Sequence, residues 1–212
     1  MLEIKSFTFN PYQENTYLIF DDSKEAVVID PGNYEAYENE LISKFIDENK
    51  LQLKKIILTH CHIDHCLGNK YLNEKYGAEL LIPFDERDLY KNVENIATLF
   101  GFANYSHLDE NEYLKEKDKI EFGDIKLDVL FLPGHSPGHL AFYFKNDNVC
   151  FSGDVLFYNS IGRTDLPGGD HDTLINSIKN KLFLLNPNTI IYPGHGQKTT
   201  LKNEMKDNPF LI

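Results

Sequence analysis

The sequence predicts an α/β protein, two sheets packed face to face with helices outside. Three observations predict it. Segments rich in aromatic and β-branched residues open the chain, a helical stretch follows, and the second half repeats that order. Turn-forming Gly, Pro, Asn and Asp residues separate the segments. Four apolar stretches, IILTH, VLFLPGH, VCFSGD and IIYPGH, each end in His or Asp. Sheet proteins of this class place their sites just beyond the carboxyl ends of strands. Two sheets with outer helices also satisfy the rule that each apolar face must be covered by another layer.

The elements follow in order. Residues 4–9 and 16–20 read as strands around the turn-prone Asn10-Pro11, and residues 26–29 as a short apolar strand closed by Asp30-Pro31-Gly32. Residues 34–49 fit a helix, with Leu41, Ile42, Phe45 and Ile46 on one face. Residues 55–58 form a buried strand, residues 69–76 a helix stopped by Gly77, and residues 80–82 another strand. A helix is expected over 85–100, then irregular chain to Lys117. Gly123-Asp124 between residues 119–122 and 125–132 marks a hairpin, and a second hairpin joins 140–144 to 149–151. Residues 174–185 read as a helix entered through Asp170 and Asp172, residues 189–192 as a strand, and residues 199–206 as a terminal helix. One domain over residues 1–212 accommodates all of this.

Composition removes several function classes. With 21 Lys and Arg against 33 Asp and Glu the net charge is −12, which lacks the basic footprint that non-specific nucleic-acid binding needs. No apolar stretch approaches the roughly 18 residues of a membrane span, and the opening MLEIKSFTFN has polar residues where a signal peptide is apolar, so a cytoplasmic protein is expected. The three cysteines, Cys61, Cys66 and Cys150, form no CxxC pair and no disulfide framework; core packing is expected for them.

The chemistry lies in the strand-end residues. His60, His62, Asp64 and His65 crowd one loop, and His135, Asp154 and His195 end the other three apolar strands. Five of the eight histidines thus occupy three loops of one type. Imidazole with few carboxylates suits zinc, iron or copper, and seven ligands can hold two ions with positions left open for water and substrate. Closed structural sites use Cys-rich sets instead, which argues against a non-catalytic metal-binding domain. His139 is expected to hydrogen-bond a ligand rather than be one, and His107 and His171 to lie on the surface. Tyr12 and Tyr158 are candidates either for lining the pocket or for plain packing.

Thr59-His60-Cys61-His62-Ile63-Asp64-His65 resembles the THxHxDH signature of the metallo-β-lactamase superfamily, and Gly134-His135, Gly153-Asp154 and Gly194-His195 match its later motifs in order. The resemblance implies a four-layer αββα sandwich of two mixed sheets. It implies that His60, His62 and His135 bind one divalent ion and that Asp64, His65 and His195 bind a second, with Asp154 between them. Zinc is the first expectation, iron or manganese the alternatives. Within the superfamily the chain looks like the small glyoxalase II-like proteins. It shares Asp30-Pro31-Gly32, Pro133-Gly134-His135-Ser136-Pro137-Gly138-His139, Gly162-Arg163-Thr164-Asp165 and the tail Thr200, Glu204, Asn208-Pro209-Phe210 with them.

That likeness implies a hydrolase in which a hydroxide shared by the ions attacks a small anionic thioester such as S-lactoylglutathione, with Asp64 orienting it. A thiolate with a pKa of about 8.5 leaves without a strong acid, whereas an amide nitrogen needs a proton donor. Arg163 either meets the substrate or pairs with Asp165. The subgroup lacks the C-terminal helical domain that supplies part of the glutathione site in full-length glyoxalase II. A mononuclear iron persulfide dioxygenase is the alternative enzyme. A β-lactamase would be expected to carry a signal peptide, and RNA processing would need a further domain.

Overall fold

The structure is a computed structural model that describes residues 2–212. The first half of the chain builds one sheet. Strands β1 (Glu3–Phe9), β2 (Glu14–Phe20) and β3 (Glu25–Ile29) form an antiparallel meander, and β4 (Gln52–Ile57), β5 (Glu79–Pro83) and β6 (Glu112–Leu114) add to β3 in parallel. The parallel steps are made by helices α1 (Ala36–Glu48), α2 (Asn69–Tyr76) and α3 (Arg87–Ala97).

The second sheet comes from the rest. Strands β7 (Lys119–Phe122), β8 (Ile125–Phe131), β9 (Leu140–Phe144) and β10 (Val149–Gly153) form an antiparallel run. A small hairpin of β11 (Leu156–Phe157) and β12 (Ser160–Ile161) follows, then helix α4 (His171–Asn180). Strand β13 (Ile190–Pro193) lies parallel to β10, edged by β14 (Thr199–Thr200), and helix α5 (Leu201–Asp207) closes the chain. Both sheets are therefore mixed, as expected.

Side-chain alternation explains the four layers. In β2 and β3, Leu18, Phe20, Ala26 and Val28 face α1, α2 and α3, while Tyr17, Ile19, Val27 and Ile29 face the other sheet. In β9 and β10, Phe142, Phe144 and Phe151 face inward, while Ala141, Tyr143 and Cys150 face α4 and α5. Strands covered on both faces read as continuous apolar runs, which is why these segments were legible. All three cysteines are buried and unpaired, as expected.

The sequence reading departs from the structure at short or edge elements. Strand β6 falls in the segment expected to be irregular; it has three residues, only Leu114 of them buried. The helix expected over 174–185 begins earlier, at the Asp170 cap, whose carboxylate accepts from Thr173 N. It stops at Asn180, where Lys181 leaves helical geometry before a 3-10 turn at Leu182–Leu184. Thr199 is edge strand, and helix α5 starts after Thr200, whose hydroxyl accepts from Asn203 N. Among the described residues no helix is long and apolar enough to cross a membrane.

Candidate metal centre

Strands β8, β10 and β13 run the same way in their sheet, so His135, Asp154 and His195 leave it along one edge. The loop after β4 of the other sheet brings His60 and His62 to that edge. A 3-10 turn, Ile63–His65, folds Asp64 and His65 back among them. All seven residues expected at the site meet there.

Two groups of donor atoms result. His60 Nε2 and His135 Nε2 lie 3.1 and 2.9 Å from His62 Nδ1. Nitrogens bound at about 2.0–2.1 Å to one ion sit roughly 2.9 Å apart at right angles and 3.3 Å apart in a tetrahedron, so this triad fits a single ion. The second group is Asp64, His65 and His195: Asp64 Oδ2 is 3.2 Å from His195 Nε2 and 3.6 Å from His65 Nε2. Asp154 stands between the groups. Its Oδ2 is 3.6 Å from His135 Nε2 and 3.5 Å from His195 Nε2, and its Oδ1 is 3.6 Å from His65 Nε2.

The outer hydrogen bonds aim these nitrogens. His135 Nδ1 meets the Arg163 carbonyl at 2.8 Å and His195 Nδ1 the Tyr12 carbonyl at 3.0 Å. A carbonyl only accepts, so each Nδ1 carries the proton and each Nε2 presents a lone pair inward. His65 Nδ1 faces the Asp30 carboxylate at 3.2 Å with the same result. His60 Nδ1 is 3.0 Å from Thr59 Oγ1, whose own proton goes to Asp30 Oδ2 at 2.6 Å, so here too Nδ1 is the donor. Four lone pairs are thus held toward a space where His65 Nε2 and Asp154 Oδ1 are buried without a hydrogen-bond partner. Buried polar atoms are rarely left so, and divalent cations fit this donor set. Asp30, His60 and His65 also lie close together, but Asp30 is already engaged by Thr59 N, Thr59 Oγ1 and His65 Nδ1, so it orients ligands from behind.

Electrostatics divide the two groups. Burial, reinforced by the neighbouring imidazoles, holds His60 well below the ordinary histidine value, and burial with His135 pushes His62 down to about 4. Burial also opposes charge on His65, but Asp64, Asp154 and Asp30 overcome it and lift His65 well above the ordinary value. His195 is raised likewise by Asp64 and Asp154 against its burial. Burial disfavours the charged form of both carboxylates, yet His65 and His195 hold Asp64 and Asp154 below the usual range. Gly194 makes the crowding feasible, because a Cβ there would overlap Asp154 Oδ1.

The remaining residues sort out plainly. His139 is buried, stacks on His60 at 4.7 Å, and its Nε2 accepts from Asp154 N at 3.1 Å, so it supports a site residue as expected. The Arg163 side chain grips Asp165 with two 2.7 Å bonds, while its carbonyl orients His135. Tyr12 and Tyr158 are about half exposed, and the Tyr12 hydroxyl donates to Phe100 O. His171 is exposed, but His107 is not a surface residue: it is half-buried against the Tyr90 ring and bonded to the Tyr105 hydroxyl. Sequence reasoning missed the supporting carboxyls Asp30 and Glu14. The available signal for Asp30 was an acid ending a wholly apolar strand, AVVID.

The sequence profile of the metallo-beta-lactamase superfamily matches residues 9–195. This chain belongs to that superfamily. The family's fold with these His and Asp clusters implies divalent metal ions and a metallo-hydrolase. The chain is 39% identical to the hydroxyacylglutathione hydrolase GloC of Haemophilus influenzae over 99% of its own length and 98% of the relative. Among solved structures, BLEG-1, a B3 metallo-beta-lactamase, superposes with a TM-score of 0.90 at 35% identity, covering 99% of this chain and all of that one. TTHA1623 in a di-iron-bound form superposes at 0.85 with 38% identity, covering 98% of this chain and all of that one.

Proposed function

We propose that this chain is a binuclear metal-dependent hydrolase of small thioesters. The observation that carries this reading is the Asp154 carboxylate, lying between the two donor groups within 3.6 Å of His135, His65 and His195 nitrogens. His60, His62 and His135 would hold one divalent ion, Asp64, His65 and His195 the other, with Asp154 shared. Zinc suits the nitrogen-rich set, and the di-iron form of TTHA1623 sets iron beside it. When bound, such ions supply Lewis acidity toward a carbonyl oxygen and lower the pKa of a water to about 7.

The protein's own residues do the rest. Asp64 and Asp154 are held ionised and can accept hydrogen bonds from a water between the groups, fixing its direction of attack. Phe157, whose ring centre is 6.2 Å from that of His195, gives an apolar wall. The Tyr12 hydroxyl is spent on Phe100 O, so it offers no proton to a leaving group. A thiolate with a pKa of about 8.5 leaves without such help. The name of the Haemophilus influenzae relative points the same way, and Arg163 at the rim suits an anionic acyl or thiol portion.

BLEG-1 favours a second reading, hydrolysis of a β-lactam amide. A persulfide dioxygenase with one iron would leave the Asp64, His65 and His195 group without a purpose. The deciding experiment loads metal-free protein with zinc, iron or manganese and assays a thioester panel including S-lactoylglutathione, a chromogenic cephalosporin, and glutathione persulfide with oxygen monitoring. Thioester turnover requiring two metals per chain is expected. Turnover of the cephalosporin alone, or oxygen uptake with one iron, would overturn it.

A further inference from the structure

Glu86 ends the 3-10 turn Phe84–Glu86, between β5 and α3, far in sequence from every site motif. It is fully buried. Its Oε2 accepts from Cys61 N at 3.1 Å and its Oε1 from Gly138 N at 2.6 Å. Cys61 lies between His60 and His62, and Gly138 is three residues beyond His135. One carboxylate therefore ties together the two loops that carry the three-histidine group. Gly138 permits the approach, since a Cβ there would come within 2.7 Å of Glu86 Cγ.

A carboxylate is a costly choice for a plain tie. Burial raises its pKa above the ordinary carboxyl value in spite of the Gly138, Ser136 and Cys61 hydrogen bonds and the proximity of His135, while the two backbone N–H groups, one on each oxygen, favour the carboxylate. The neighbourhood explains the choice. His60, His62 and His135 contribute no negative charge of their own and have only a share of Asp154, whereas the second group also contains Asp64. A cation among three neutral imidazoles gains from a buried negative charge behind them.

We propose that Glu86 is a positioning residue for the metal held by His60, His62 and His135, setting the spacing of their two loops and supplying negative charge behind them. This rests on the two-ion reading above, yet the two can fail separately. The test titrates metal-free wild type, Glu86→Gln, Glu86→Ala and His195→Ala with zinc against a chromophoric chelator, and with cobalt followed by its visible absorption. His195→Ala identifies which step belongs to the second group.

The other step should weaken about 10-fold in Glu86→Gln, which keeps the shape but loses the charge, and up to about 100-fold in Glu86→Ala, the range for removing an outer partner of a metal ligand. The cobalt band of that step should shift, while the second step stays within about threefold of wild type. Equal weakening of both steps would make Glu86 merely structural, and unchanged first-step affinity would also overturn the proposal. Should Glu86→Ala fail to fold, Glu86→Gln carries the same readings. If wild type takes up fewer than two ions, the two-ion reading itself is what fails.

Discussion

Asp154 reaches His195 across the site, its Oδ2 standing 3.5 Å from the histidine Nε2. The same oxygen is 3.6 Å from His135 Nε2, in the other donor group. On the proposed two-ion reading, loss of a shared ligand should affect both ions, and loss of an unshared one only its own. Asp154→Ala should lower zinc affinity at both sites and cut kcat/KM at least about 100-fold, whereas His195→Ala should leave one ion bound. Metal analysis after dialysis separates the cases. One tightly held ion in Asp154→Ala would contradict the shared role.

The two groups should also part with pH. Nδ1 of His65 already carries a proton, so a second proton must go to Nε2, the metal-facing atom. His65 and His195 have raised pKa values, so protons compete there at higher pH; His60 is held well below the ordinary value and His62 at about 4. As pH falls, the ion at Asp64, His65 and His195 should leave first, and the three-histidine site should keep its ion closer to pH 4. Zinc stoichiometry measured at steps from pH 8 to pH 4 checks this. Release in the opposite order, or of both ions together, would refute it.

What was legible in the sequence follows from these same physics. The metal-type residues stood out because they follow apolar strands, four of them crowded in one loop, and the strands stood out because both of their faces are buried. The partners that aim the histidines were harder to see. Two are backbone carbonyls, of Tyr12 and Arg163, which have no sequence signature. Asp30 and Glu86 bond residues 25 to 52 positions away and Glu14 faces His65 51 positions away, so local spacing shows none of these contacts, even where an acid after an apolar strand marks Asp30 itself. Strands β11, β12 and β14 have two residues each, too few to show a period.

Glu14 illustrates what donor counting adds. Thr16 Oγ1 accepts from Gly32 N, and its single proton faces two acceptors, Asp30 O at 2.9 Å and Glu14 Oε2 at 2.8 Å. One hydroxyl proton cannot serve both oxygens fully, and a protonated Glu14 would relieve the shortage by donating to Thr16 Oγ1. Burial, with Asp30 and Asp64 near, raises the Glu14 pKa well above the carboxyl norm against the opposing pull of His65 and the Thr16 hydroxyl, which favours the neutral acid. Glu14→Gln preserves a donor and should keep thermal stability near wild type. Glu14→Leu, leaving Thr16 short of a partner, should lose about 1–3 kcal/mol in urea unfolding of the metal-free protein. A strongly destabilised Gln variant would show that Glu14 is ionised.

Glu204 does for the tail what Glu86 does for the site loops. It is buried and accepts from Thr199 Oγ1 at 2.6 Å, Asn159 N at 2.9 Å and Asn208 Nδ2 at 2.8 Å, and Asn208 also bonds Ser160 O. The tail motif thereby pins the β11–β12 hairpin, which lies between Asp154 and Arg163. Glu204→Ala should cost about 1–3 kcal/mol and make the hairpin a site of limited proteolysis. Unchanged stability and cleavage would show that the hairpin holds itself.

Arg163 is where the proposed anionic substrate can be tested. Its guanidinium is exposed and bound to Asp165 through two oxygens, so its charge is half-spent, while its backbone carbonyl holds His135 in place. Removing the competing carboxylate should free the guanidinium without disturbing that carbonyl. Asp165→Asn should therefore lower KM for an anionic thioester by about two- to fivefold, the range an exposed ion pair supports, with kcat unchanged. A neutral thioester of similar size should show no difference. Adding salt should erase the gain, because an exposed charge is screened over roughly 10 Å at 0.1 M ionic strength. If anionic and neutral substrates respond alike, Arg163 serves the loop and not the substrate, and the acyl or thiol anion must be sought by other groups on the rim.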